Sequence, residues 1–338
     1  LGLQEVTAVR AMNDQRERGN IHPEVRSLIA YNTDSEVIPT LRFNGILLAE
    51  TTPTGGMVSG TSSVMELEGW NWEDAVHSAD IAIHINWPRK ISRVFDFKTF
   101  TVKDKPNKNY DKSIVELQSL FSDAQIYGTS QNAISNLKLA SLQGLFDGSK
   151  VLMMHANGPK EIIQSIRFAL DNGVRKVTLV AGSNSLMVSG FLKTYNIPVI
   201  IPAVHSLPAK NHDDVDLPYK LASLLTNEGI NVCLSHTGML ALSRNLPFYA
   251  GTCVAYGMDK EDAIKTVTLN TAKALGIHHR VGSIEKGKDA TLFVSQGDAL
   301  DYRTNNLSYG FIRGKKITLP ARQQALFKRY NEKYGHIK

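Results

Sequence analysis

An α/β fold built on a mainly parallel sheet is what this sequence predicts, and two observations predict it. Short continuous apolar runs recur along the 338 residues, and most are followed by a segment whose apolar residues fall at helical spacing. A strand that is apolar throughout, instead of alternating, is one covered on both faces, as when helices cross over between parallel strands. A (β/α) barrel and a doubly wound open sheet both satisfy the pattern. In both, chemistry gathers at the C-terminal ends of the strands.

The elements read in order as follows. Ile46-Leu-Leu-Ala-Glu-Thr-Thr-Pro reads as a strand that enters Thr54-Gly-Gly-Met-Val-Ser-Gly, a loop rich in Gly and Ser. Ile81-Ala-Ile-His-Ile-Asn-Trp-Pro alternates like a strand. Val151-Leu-Met-Met-His is a strand followed by a helix from Pro159 to Asn172, with Ile162, Ile163, Ile166, Ala169 and Leu170 at helical spacing and Pro159 suited to the first turn. Val177-Thr-Leu-Val-Ala-Gly-Ser precedes a helical stretch from Asn184 to Tyr195, and Pro198-Val-Ile-Ile-Pro and Ile230-Asn-Val-Cys-Leu-Ser complete the series. From Val281 the texture changes to short alternating strands, Ala290-Thr-Leu-Phe-Val-Ser, Leu307-Ser-Tyr-Gly-Phe-Ile and Lys316-Ile-Thr-Leu, before a basic amphipathic tail, Ala321 to Lys338.

Composition narrows the function classes. Hydrophobic content of 42% and charged content of 21% are ordinary for a globular protein, and the length suffices for a barrel as one domain. The net charge of +6 is spread thinly. Its densest stretch (Lys98, Lys103, Lys105, Lys108, Lys112) is interleaved with Asp96, Asp104 and Asp111, and reads as a solvated, inserted loop, with no nucleic-acid footprint. No run of about 18 apolar residues occurs, so no membrane partner is expected. Cys233 and Cys253 sit in apolar surroundings and read as buried thiols. The chain opens at Leu1 without a charged-then-apolar leader, and its beginning is expected to lie upstream, so the compartment is not legible.

Ala272-Lys-Ala-Leu-Gly-Ile followed by Arg280-Val-Gly-Ser-Ile-Glu-Lys-Gly-Lys-Asp-Ala resembles the closing signature of the metal-dependent amidohydrolases, close to their imidazolonepropionase-like branch. The resemblance decides between the two architectures. It implies an α/β (β/α)8 TIM-like barrel over 1–278 whose first strand is absent from the chain, part of a small β-sandwich over 279–320, and a C-terminal tail over 321–338. It also implies a ligand set on the strand ends: a His-x-His after the first strand, histidines after the fifth and sixth, and an Asp after the eighth. Together these would hold a divalent metal, zinc above all, that activates water.

Laid on this chain, the set is mixed. His155 matches the fifth-strand ligand, while the His-x-His would precede Leu1-Gly-Leu. Ala181 stands at the sixth-strand position, and a methyl group ligates nothing. In Ser235-His-Thr, ahead of Ser243-Arg-Asn-Leu-Pro-Phe, His236 takes the place of the Asp, as a catalytic base or a metal ligand. His205 follows the seventh strand, so His155, His205 and His236 are the candidate metal ligands. His84, and the loop residues Gly55, Gly56 and Ser59, are candidate substrate contacts, the loop through its backbone N–H groups.

The resemblance therefore implies hydrolysis of a carbon–nitrogen bond in a small amide-type substrate by metal-activated water. The alternative is a degenerate relative that keeps the barrel as a binding or partner subunit, which Ala181 and His236 favour. Either would act as a homo-oligomer or beside a homologous subunit.

Overall fold

The computed structural model describes residues 1–5, 9–97, 99–130, 134–208 and 212–336, and Lys98 of the basic stretch lies outside them. Twelve strands are assigned among these residues: β1 Leu48–Thr51, β2 Val58–Glu66, β3 Val76–Asn86, β4 Ile91–Asp96, β5 Thr101–Pro106, β6 Val151–His155, β7 Val177–Val180, β8 Val199–Ile201, β9 Val232–Leu234, β10 Leu292–Ser295, β11 Leu307–Ile312 and β12 Lys315–Lys316. Seven form one sheet in the order β1-β2-β3-β6-β7-β8-β9, curled into part of a barrel wall.

From β3 onward the neighbours are parallel, as the sequence predicts. The expected helix after β6 spans Pro159–Asp171. The stretch after β7 is a 3₁₀ segment, Ser183–Val188, running into a short helix, Ser189–Thr194. Strands β1, β2 and β3 pair antiparallel, a departure from an all-parallel ring. The cause is the length of the links: 52–57 and 67–75 are shorter than the dozen or so residues a parallel crossover needs. The second link holds only the four-residue helix Trp72–Ala75, capped by Asn71 Oδ1 accepting from the Asp74 amide.

Both faces of the parallel part are covered, which accounts for its uninterrupted apolar runs. On β6, Leu152 and Met154 face the main core, against Leu145, Ile162, Ile166 and Phe121 from the helices. Val151 and Met153 face the opposite way, against Ala272, Leu275, Ile277 and Val281. Met153, Met154 and Trp87 are consequently core residues. The segment 272–281, singled out in the sequence as a signature, serves here as a lid over the second face of the sheet. Gly282 beside it has φ +97°, and a Cβ there would lie 2.7 Å from the Ala272 methyl. Glycine is required both for the backbone conformation and for the close approach.

Strands β10, β11 and β12 form a separate antiparallel sheet. Ile312, Ile317 and Leu319 pack on Leu47 beside β1. Arg313 reaches across to Glu66 of β2 and to the Val76 carbonyl. Pro320 follows closely, and the basic tail forms a helix, Arg322–Tyr334, with no buried residue. The stretch read as a solvated loop is a hairpin, β4–β5, most of whose described side chains are exposed, followed by the helix Tyr110–Thr129. Cys233 and Cys253 are buried free thiols, and burial pushes both up to about 12.

Candidate functional site

Four neighbouring strands each contribute one polar side chain to a buried chain of hydrogen bonds. Glu50 comes from β1, Ser62 from β2, His84 from β3 and His155 from the end of β6. Ser62 Oγ donates to Glu50 Oε1 at 2.7 Å, and His84 Nε2 lies 3.1 Å from the same oxygen. His84 Nδ1 lies 3.0 Å from His155 Nε2. The registers Glu50↔Val64 and Ser62↔Ala82 hold the first three side chains on adjacent strands. Asn86↔His155 then brings the end of β6 alongside.

The electrostatics follow from burial and proximity. Burial would push the Glu50 carboxyl up, but the charge and hydrogen bond of His84 and the hydroxyl of Ser62 outweigh it and hold the group below the usual carboxylate range. An ionised carboxylate only accepts, so His84 Nε2 carries a proton. Burial, reinforced by His84 and only partly opposed by Glu50, holds His155 down at about 3. His155 is therefore a neutral imidazole. The four groups form one hydrogen-bonded chain that ends on a carboxylate.

His205 and His236 lie elsewhere on the C-terminal rim, after β8 and β9. Tyr249, from the helix Leu246–Ala255, stands between them, with ring centroids 4.7 Å from His205 and 5.7 Å from His236. His236 Nε2 donates to the Met239 carbonyl at 3.0 Å, and its Nδ1 lies 3.3 Å from Tyr249 Oη. His205 Nε2 donates to Thr252 Oγ1 at 2.8 Å, because that hydroxyl already donates to the Phe248 carbonyl. Burial lowers the His205 pKa. Together these residues border a cavity of about 690 Å³.

The structure thus pairs His155 with His84, and His205 with His236, and does not gather the three candidate metal ligands. Among the described residues no group of three or more His, Cys, Asp or Glu side chains is arranged to hold a metal ion. The donor types of Glu50, His84 and His155 suit zinc, but they form a line, with His84 using one nitrogen on each neighbour. They do not fit the ion as arranged. Ala181 is fully buried at the end of β7, its amide bonded to the Ile200 carbonyl.

The glycine loop is tied inward. Gly55 and Gly56 have φ +84° and +64°, and a Cβ on Gly56 would lie 2.8 Å from the Asn20 carbonyl oxygen. The Met57 and Val58 amides already donate to that carbonyl. Ser59 is buried and accepts from Asn86 Nδ2 at 2.9 Å. Sequence reasoning passed over Glu50, Ser62 and Tyr249. A lone carboxylate inside the apolar run Ile46-Leu-Leu-Ala-Glu was the available signal for the first.

A sequence profile of the amidohydrolase family matches residues 142–317, a little over half of the chain. The chain belongs to the amidohydrolase family. Within it, the imidazolonepropionases of Thermoplasma volcanium and Picrophilus torridus are similar, at 31% identity over 105 residues and 33% over 110 residues. These stretches take in 30% of this amidohydrolase chain, and 26% and 28% of the two relatives, so the similarity spans about a quarter of their length. An amidohydrolase of Thermotoga maritima superposes with a TM-score of 0.79 at 21% identity, over 94% of this chain and 84% of that one. Fold is what that likeness carries, and it places the curled sheet among the barrel-type α/β architectures of the family.

Proposed function

We propose that this amidohydrolase chain hydrolyses a carbon–nitrogen bond in a small amide-type substrate, with the Glu50–His84–His155 relay handling the proton. The observation that carries the reading is a neutral, buried imidazole at a strand end, coupled through a second imidazole to a carboxylate. Such a pair takes a proton from an attacking water and returns it to a leaving nitrogen, the general acid–base role. Glu50 holds His84 by its Nε2–H, and the proton gained rests on His84, beside the carboxylate, instead of on His155. Water activation by zinc, which the family resemblance implies, calls for donors besides those that converge here, and no step is derived through a metal. Substrate contacts by Gly55, Gly56, Ser59 or His84, a role for His236 as base, a zinc site that takes in His155, His205 or His236, and a homo-oligomeric or paired assembly belong to the same proposal. So does the division into a barrel over 1–278, a small β domain over 279–320 and a tail over 321–338.

A screen of N-acyl amino acids, dipeptides and imidazolones, run with elemental analysis of the purified protein, tests the reading. Turnover that falls at least about a hundredfold in His155→Ala supports it, and turnover indifferent to His155 and His84 removes it. If the protein carries zinc, His155→Ala also reports whether that imidazole holds it, through metal content.

A second reading has its own support. Ala181 offers no donor and the histidines do not converge, as a non-catalytic subunit that binds a small molecule or a homologous chain would allow. A well-folded, metal-free protein inert to the whole screen would favour it.

A further inference from the structure

The cavity between His205 and His236 is not used by the proton relay, and its chemistry is selective. Its volume of about 690 Å³ falls within the range of small-molecule sites. Among the described residues that line it there is no Lys, Arg, Asp or Glu. Five of its eleven lining residues carry rings, His205, His236, Phe248, Tyr249 and Tyr302, and they stand beside the apolar Met239 and Leu242 and the uncharged polar Thr237 and Asn245. A charged ligand group would enter without a partner and lose its hydration, which is costly. A small aliphatic group would leave the ring faces uncovered.

We propose that this cavity is a subsite for an uncharged, planar aromatic group bearing an N–H or O–H donor. The donor requirement comes from His205. Its Nε2–H is committed to Thr252, so a neutral ring keeps Nδ1 as an acceptor. Tyr249 Oη, between His236 Nδ1 and the Leu242 carbonyl, fixes the ring that separates the two imidazoles. The cavity opens at the ends of β8 and β9, on the same rim as His155, with β7 between. Taken with the hydrolase reading, on which only this step rests, the preferred substrate is an amide whose side chain carries an aromatic ring, while carboxylate-bearing side chains are excluded from this subsite.

Isothermal titration of the protein with neutral N-acetyl-L-tryptophanamide, N-acetyl-L-alaninamide and the 1-methylindole analogue of the first tests the subsite without need of turnover. The tryptophan amide is expected to bind about tenfold or more tighter than the alanine amide. The 1-methyl analogue should lose several-fold, and lose nothing further in His205→Phe. Leu242 is 41% exposed, so Leu242→Arg should leave the melting temperature in place while it abolishes the aromatic preference. Equal binding of the two amides, or an aromatic preference that survives Leu242→Arg in a folded protein, overturns the subsite. Tight aromatic binding without hydrolysis of any amide would sink the hydrolase reading alone. Hydrolysis with no aromatic preference would sink the subsite alone.

Discussion

Glu50 organises its surroundings more than any single histidine does. Its Oε1 accepts from both Ser62 and His84, and through His84 it fixes the ring that meets His155. Glu50→Leu removes the oxygen that Ser62 and His84 share, leaving them the contacts of His84 Nε2 with Ser62 Oγ at 3.0 Å and of Ser62 Oγ with the Ala82 carbonyl at 3.5 Å, and is expected to lower stability by about 1 kcal/mol in urea unfolding at neutral pH. Glu50→Gln keeps an acceptor and should cost less. The pH dependence belongs to His155, whose pKa lies at about 3 in the fold against the usual 6.5. As pH falls through that window the unfolded chain takes up a proton that the folded chain does not, so stability falls with it. The contribution is complete above the unfolded value. Unfolding of His155→Asn, followed over the same window, should show a flatter curve, and an unchanged slope would remove this account. His155 was legible in the sequence because it ends an apolar run. Glu50 was not, since its partners, Ser62 and His84, lie on two other strands.

Among the elements, the closing signature behaves as a structural device. Its apolar residues cover the second face of β6, and two of its three glycines, Gly282 and Gly287, differ in what they do. Gly282 has φ +97° and backbone and methyl groups against its α-carbon, whereas Gly287 has φ +92° and open space. Gly282→Ala should therefore destabilise by more than Gly287→Ala, which bears the conformational cost of about 1 kcal/mol alone. Thermal unfolding of the two variants side by side checks the order, and equal losses would show that the close approach relaxes freely. The same comparison explains what the sequence pattern could reach. Helix Pro159–Asp171 and strands β6 to β9 were readable from periodicity, because burial on a given face imposes it. The hairpin β4–β5 was not readable, because most of its described side chains are exposed and no core imposed a pattern on them.

Across the whole molecule, the small sheet is anchored to the large one by a side chain from its β11–β12 turn. Arg313 pairs with Glu66, whose own pKa burial raises in spite of Arg313 and Arg280. Arg313→Ala strands a largely buried carboxylate, and an expected loss of about 1–3 kcal/mol, reduced for the partial exposure of the guanidinium, should appear in denaturant unfolding. Glu66→Gln added to it should recover part of that loss. No recovery would mean that Arg313 acts through the Val76 carbonyl instead.

The sequence alone determined the α/β class, the order of the parallel strands and the kinship carried by residues 272–290, because apolar periodicity and glycine placement are local consequences of burial and backbone geometry. It could not determine that β1 to β3 turn antiparallel, that His155 meets His84 while His205 and His236 flank Tyr249, or that Glu50 bonds to both Ser62 and His84. Those depend on which strands become neighbours and on where each side chain ends. Imidazoles as far apart in the chain as His84 and His155, 71 residues, carry no local mark of the partner they will find, and only packing assigns it.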